Sequence, residues 1–404
     1  MSPTPLITHV IPSLIRGGAE RLTIEIAARL PSRGFRTKIV SLFNEGELRN
    51  EARDRNIRWS TLTVPLNGSR VQLVRELEKK LFPEPERRPA IIHSHLFGAD
   101  FWSVKASKLH SVTHLFEGTG GLVDGRRGGQ GEKYRSAFAR QPASPPARPI
   151  RISTAHNVDK DDSLLRRLAR GWALRRMDAV IAISVEVSRY LQERLGVKQA
   201  RIHVIPNGID LSRVIPRGTR PFHDIPRILM VCRLVPQKGI ETALKALKDV
   251  PPPWQLDIVG VGWQERDLKE LAERLGIASR VRFLGERSDD QSLMSEADLF
   301  LFPSRWEGMG LALLEAVAAG VPVLASDIPP VREYLPAPFR VSPVDVGQWS
   351  ARIRTVLSAS KQAIQSAHDL APEIRKDYDV ETMVDRYAAL YERMMAEKRK
   401  DVRG

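Results

Sequence analysis

Short runs of β-branched and aliphatic residues alternate with longer amphipathic stretches, and the alternation starts afresh halfway along the chain. That order is the mark of parallel strands covered by helices. The first set of apolar runs is Leu6–Pro12, Thr37–Phe43, Ala90–His95, Arg151–Ala155, Ala179–Ser184 and Ile202–Pro206. The second is Arg227–Cys232, Gln255–Gly260, Val281–Gly285, Asp298–Pro303 and Pro322–Ser326. Helical periodicity lies between them, over Ala19–Leu30, Glu241–Lys248, Trp263–Leu275 and Gly310–Ala319. The expected fold class is α/β, with two facing, doubly wound, Rossmann-like domains. A chain of 404 residues also exceeds what one hydrophobic core usually supports.

The first domain is expected over residues 1–212 and the second over 227–378, joined by the Pro- and Arg-rich linker RVIPRGTRPFHDIP at 213–226. Residues 379–404 form a terminal packing helix, with Met383, Val384, Tyr387, Leu390, Tyr391 and Met394 at helical spacing. Between Glu117 and Pro149 the Gly-, Arg- and Pro-rich composition cannot bury a core, and a mobile insertion is expected there. The single cysteine, Cys232, sits in the apolar stretch ILMVC and reads as a core residue rather than a nucleophile. The N-terminus lacks the basic start and apolar core of an export signal, and no apolar run spans a bilayer, so a cytoplasmic protein is expected. A net charge of +15 points to anionic partners, and Arg126–Arg220 alone carries 20 Lys and Arg against 8 Asp and Glu. No nucleic-acid-binding motif accompanies that charge.

Two strand-end segments carry chemistry. In SRWEGMGLALLEAVAAGVPVLASD, Ser304–Asp327, Glu307 and Glu315 stand eight positions apart around Gly308 and Gly310. Glycines there let backbone amides approach an anion at a helix N-terminus, while paired carboxylates accept hydrogen bonds from sugar hydroxyls. In CRLVPQKG, Cys232–Gly239, Arg233 and Lys238 supply two fixed cations that suit a diphosphate. The Gly-x-Gly of DIVGVG makes Gly262 a further donor-binding candidate on a weaker signal, since close helix–strand packing explains it equally well.

These segments, with IRGGAERL (Ile15–Leu22), IIHSHL (Ile91–Leu96), STAHN (Ser153–Asn157), AVIAIS (Ala179–Ser184) and IPNGID (Ile205–Asp210), recur in the order of a known family. The chain resembles the family-4, group 1 glycosyltransferases, retaining enzymes of GT-B fold, over nearly its whole length. The resemblance implies a terminal helix crossing back to the first domain and a nucleotide-sugar co-substrate, UDP first and GDP second, with no other cofactor. It implies that Arg233 and Lys238 bind the donor diphosphate and stabilise the leaving nucleotide. Glu307 contacts the transferred sugar with help from the backbone around Gly308, Met309, Gly310 and Leu311, and Glu315 holds the ribose. Gly17 and Gly18 form the facing loop of the first domain, and His156 is the histidine beside the donor sugar. The implied reaction moves a hexose or N-acetylhexosamine, with retention, to a glycan or polyprenyl-diphosphate-linked acceptor in surface polysaccharide synthesis. A soluble acceptor and a non-catalytic nucleotide-binding scaffold are the rival readings.

His93 and His95 of HSH are expected to face opposite sides of their strand and so not to share an ion, which favours metal-independent chemistry. The helix Asp162–Met177 sets Leu164, Leu165, Leu168 and Trp172 in one stripe, with Arg166, Arg167, Arg170, Arg175 and Arg176 mostly elsewhere. Docking of that helix on the first sheet, basic side to water, is the expectation. Contact with an anionic membrane, at the inner face of the plasma membrane, is its companion. The stretch after Ser326 lacks the Gly-rich turn usual in the family, which leaves the outer wall of the donor pocket open.

Overall fold

Seven parallel strands build the first sheet: β1 (Leu6–Ser13), β2 (Arg36–Asn44), β3 (Arg58–Thr61), β4 (Ile91–His95), β5 (Ile150–Ala155), β6 (Ala179–Ala182) and β7 (Ile202–Val204), in the order β3-β2-β1-β4-β5-β6-β7. Six more build the second: β8 (Arg227–Val231), β9 (Gln255–Val259), β10 (Val281–Gly285), β11 (Leu299–Phe302), β12 (Val323–Ser326) and β13 (Arg340–Val341), in the order β10-β9-β8-β11-β12-β13. The computed structural model describes residues 4–15, 17–44, 46–62, 69–82, 88–96, 98–107, 148–158 and 163–403. Most of the expected insertion, residues 117–147, lies outside the described residues. Two strands escape the sequence reading. β3 is a half-exposed edge strand without apolar alternation, and β13 has two residues.

Strand order reverses beside β1 in one sheet and beside β8 in the other, and a ligand crevice opens at the carboxyl ends of strands at such a point. The loops after β1, β5, β8 and β11 therefore carry the chemistry-bearing residues. The terminal helix Val380–Arg403 buries Met383, Val384, Tyr387, Leu390 and Tyr391 against Ile7, Ile91, Ile150 and Ile152 of the first sheet. Burying five such side chains is worth on the order of 10 kcal/mol before ordering costs, which accounts for the crossing back. The chain thus passes between the sheets twice, and the passages lie side by side. The Ile209 amide donates to the Tyr378 carbonyl at 2.8 Å and the Val380 amide to the Ile209 carbonyl at 2.9 Å.

The 213–226 segment is fastened to the second domain. Arg217 and Asp298 pair at 3.3 Å with both side chains fully buried. Arg220 Nη1 and His223 Nδ1 reach the same carboxylate at 3.0 and 2.9 Å.

Candidate active site

The loops after β8 and β11 are built as one unit. Gly239 holds φ at +61°, and a Cβ there would collide with the Pro303 carbonyl oxygen, so only glycine lets the two loops meet. The Arg305 amide then donates to Gln237 O at 2.8 Å, and Gln237 Nε2 donates to Trp306 O at 2.9 Å. This stitching brings Lys238 Nζ to 2.5 Å from Glu307 Oε1, with the Lys238 side chain 15% exposed and that of Glu307 8% exposed. Beyond Glu307, Tyr334 Oη donates to the Met309 carbonyl at 2.9 Å. Gly310, at φ +91°, turns the chain into the helix Leu311–Ala318, which has no side-chain cap. The Leu313 and Leu314 amides donate to the Gly310 carbonyl at 3.0 and 3.2 Å, while the Leu311 and Ala312 amides ahead of them have no acceptor within the helix and can turn to an anion.

Arg233 is exposed at the mouth of the β8 loop. Its charge acts on Glu20 of the first domain, whose carboxyl is raised by burial against the pull of its own amide and of Arg233. Gly17 precedes the helix Gly18–Arg29, and the Glu20 carboxylate folds back over it. Gly18 faces Leu311 across the cleft, a Cβ there falling 3.8 Å from Leu311 Cδ1. Gly308 lies against the His156 carbonyl oxygen, closely enough that any side chain would collide. The closure therefore sets His156, from the first domain, beside the loop holding Glu307. Glu315 is half-buried on the next helix, and burial pushes its carboxyl up to about 7 despite Arg21, Arg213 and a bond from Gln291.

Gly262 plays a different part. It and Gly260 let the loop after β9 press on the backbone at Leu234 and Cys232, where side chains would collide. The Leu234 amide donates to Val261 O at 2.9 Å. The Gly-x-Gly thus supports the Arg233 loop through packing. Burial pushes the Cys232 thiol up to about 12, which suits a packing role.

Two expectations are corrected. His93 and His95 do not face opposite sides: residues two apart on a strand project to the same face, and their ring centroids lie 4.2 Å apart. The basic helix, observed over Leu164–Leu174, does not dock through the stripe of Leu164, Leu165 and Leu168. Arg170, Gly171, Ala173 and Leu174 are its buried residues, while Leu164, Leu165 and Leu168 are 60%, 79% and 56% exposed. Burial changes along this helix rather than around it: Gly171, seven residues on from Leu164, shares its side, but only the turn from Arg170 onward is buried, where a Cβ at Gly171 would lie 2.9 Å from the Leu195 carbonyl oxygen. Among the described residues no helix is long and apolar enough to cross a membrane.

Sequence reasoning missed Glu20, on which Arg233 acts, Arg21 and Arg213, which act on Glu315, and Tyr334, which braces Met309. Glu20 and Arg21 stand within IRGGAERL, where only the glycines were informative. Tyr334 sits in a stretch without periodicity.

The second half, residues 214–377, matches the model of glycosyl transferases group 1, and residues 17–208 match that of a glycosyl transferase 4-like domain. The lipopolysaccharide core biosynthesis mannosyltransferase LpsB of Rhizobium meliloti is 30% identical over 262 residues, covering 58% of this chain and 71% of that protein. Glycogen synthase of Mycobacterium tuberculosis is 31% identical over 228 residues, 54% of this chain, and the match spans about half, 55%, of that protein's length. Among solved structures, Anabaena HepE in complex with UDP and glucose superposes with a TM-score of 0.77 at 21% identity, covering 96% of this chain and 99% of that one. Sucrose-phosphate synthase from Thermosynechococcus elongatus gives 0.74 at 17% identity, covering 97% and 100%.

Proposed function

Since the chain belongs to the group 1 glycosyltransferases and has the GT-B fold, related to enzymes of lipopolysaccharide and exopolysaccharide synthesis, we propose a specific reaction for it. The enzyme moves a hexose or N-acetylhexosamine from a nucleotide diphosphate sugar, UDP first and GDP second, to a hydroxyl of a glycan or polyprenyl-diphosphate-linked glycan. The anomeric configuration is retained and no metal takes part. The observation that carries this reading is the Lys238–Glu307 pair at 2.5 Å, set between an uncapped helix start and His156.

Lys238 and Arg233 hold the diphosphate and stabilise the charge that grows on it as the sugar leaves. The first amides after Gly310 add fixed dipoles on the same side. Glu307, already anchored by Lys238, accepts hydrogen bonds from sugar hydroxyls, and ionised Glu315 accepts them from the ribose. The leaving phosphate takes the acceptor's proton on the face it vacates. Domain closure through Gly308 and His156 keeps water away from the anomeric carbon. Donor turnover tests the reaction: UDP- and GDP-sugars are supplied with and without chelator, and the anomer of the new linkage is read by NMR. Inverted product, or activity lost with chelator and restored by a divalent ion, would overturn retention or metal independence.

The lipid-linked acceptor is supported by the exposed Leu164, Leu165 and Leu168 on an Arg-rich helix of the first domain. Vesicles with anionic lipid should co-sediment the protein at low salt, and serine at Leu165 and Leu168 should weaken this by about tenfold. Full activity on a soluble glycan, with no vesicle binding, would favour a soluble acceptor.

A further inference from the structure

Strand register stacks four histidines behind the cleft. His9 of β1 lies opposite His93 of β4, and His95 lies opposite Thr154 of β5, the strand that ends just before His156. His9, His93 and His95 are fully buried, and buried imidazoles are costly unless their ring nitrogens are paired. His93 is fully paired, Nδ1 with Tyr391 Oη at 2.6 Å and Nε2 with Thr154 Oγ1 at 2.7 Å. The other three form a line: His9 Nδ1 to His95 Nε2 at 3.1 Å, then His95 Nδ1 to His156 Nε2 at 3.2 Å.

His9, His93 and His95 are also close enough together to suggest a metal, their ligand atoms lying within 4.8 Å of one another. The pairing argues otherwise. Both nitrogens of His93 face oxygens, His9 Nδ1 faces His95 Nε2 and His95 Nδ1 faces His156, as hydrogen bonds require and a shared ion does not.

Burial lowers all four rings, His9 and His156 to about 3 and His93 and His95 well below their ordinary value, so each is neutral with one N–H. In a line of neutral rings the protons move in concert, leaving two patterns. In one, His9 Nδ1–H donates to His95, His95 Nδ1–H donates to His156 Nε2, and His156 carries its proton on Nδ1. In the other every bond is reversed, and the His9 proton sits on Nε2. That atom is buried and has no partner among the described residues. An orphaned buried N–H is rarer than an unused acceptor, so the first pattern is favoured.

We infer that His95, backed by His9, is a positioning residue that holds His156 as its Nδ1–H tautomer, so that His156 offers the donor sugar a hydrogen-bond donor rather than a base. The role at the sugar rests on the proposed transferase reading; the tautomer does not. It also fits a reaction in which the leaving phosphate, and not a histidine, removes the acceptor's proton.

Long-range proton–nitrogen NMR of the full chain, labelled at its nine histidines, reads the tautomer directly, with His156→Gln supplying the assignment. The expected spectrum shows protonated Nδ1 and bare Nε2 at His156. Protonated Nε2 in the wild type would overturn the inference, as would one equivalent of tightly held metal in the purified protein. His95→Leu should let His156 populate the other tautomer and lower kcat about tenfold, the value of one hydrogen bond, with little change in donor KM. His95→Asn keeps an N–H near the lost Nδ1 and should restore both. An Nδ1–H His156 in a protein that turns over no nucleotide sugar would refute the transferase reading alone.

Discussion

Replacing Glu315 by glutamine separates what the site costs from what it does. Burial raises the Glu315 carboxyl from 4.5 to about 7, more than Arg21, Arg213 and Gln291 offset, and Asp290 pushes the same way. The native state therefore holds a proton that the unfolded chain has lost between those two values, and stability falls as pH rises through that window. Each unit is worth about 1.4 kcal/mol, so the penalty is on the order of 3 kcal/mol, absent below about 4.5 and complete above about 7. Glutamine carries no such penalty. Glu315→Gln should match the wild type in Tm at acid pH and exceed it at pH 8 by several degrees, roughly 6 to 10 °C for a domain of this size. Thermal unfolding at both pH values is the assay. The same variant should bind the nucleotide more weakly at pH 8, because an amide offers the ribose one weaker acceptor. Wild-type affinity itself should fall as pH drops through about 7. A Tm difference that is equal at both pH values, or larger in acid, would show that burial does not raise the Glu315 carboxyl.

Three further outcomes follow from the same contacts. Lys238→Ala strands the buried Glu307 carboxylate and should lower stability by about 2 kcal/mol and kcat by roughly 10²- to 10³-fold, read by urea unfolding and donor turnover. Gly310→Ala forces a side chain into φ +91° with its Cβ 2.8 Å from Phe302 Cζ. It should cost about 2 kcal/mol and weaken UDP binding through the displaced helix start. Arg217→Ala removes one of the three side chains that pair with the buried Asp298, Arg220 and His223 remaining, and should destabilise the second domain by about 1 to 2 kcal/mol without a matching loss in kcat at low temperature.

Much of the site was legible because it depends on local patterns at strand ends. The Glu307–Glu315 spacing and the Arg233–Lys238 loop each follow an apolar run, and the parallel sheets bring both to one crevice. What escaped depends on long-range contact. The segment 213–226 reads as a free linker from composition, yet Asp298, far along the chain, gathers Arg217, Arg220 and His223 onto the second domain. The leucines at 164, 165 and 168 form the stripe that ordinarily marks a core face. They lie in the exposed first turns of the helix, whose packing begins only at Arg170, so the stripe stays in water although Gly171 on the same side is buried. His9 gave no signal by itself. Its meaning comes only from the register that sets β1 beside β4.

Titration calorimetry of UDP, GDP and ADP on the wild type and on Lys238→Ala tests most directly whether the β8 and β11 loops form a nucleotide diphosphate site. The wild type should show one site per chain that prefers UDP, with at least a tenfold loss of affinity in the variant. No binding by the wild type, or binding that Lys238→Ala leaves unchanged, would contradict it.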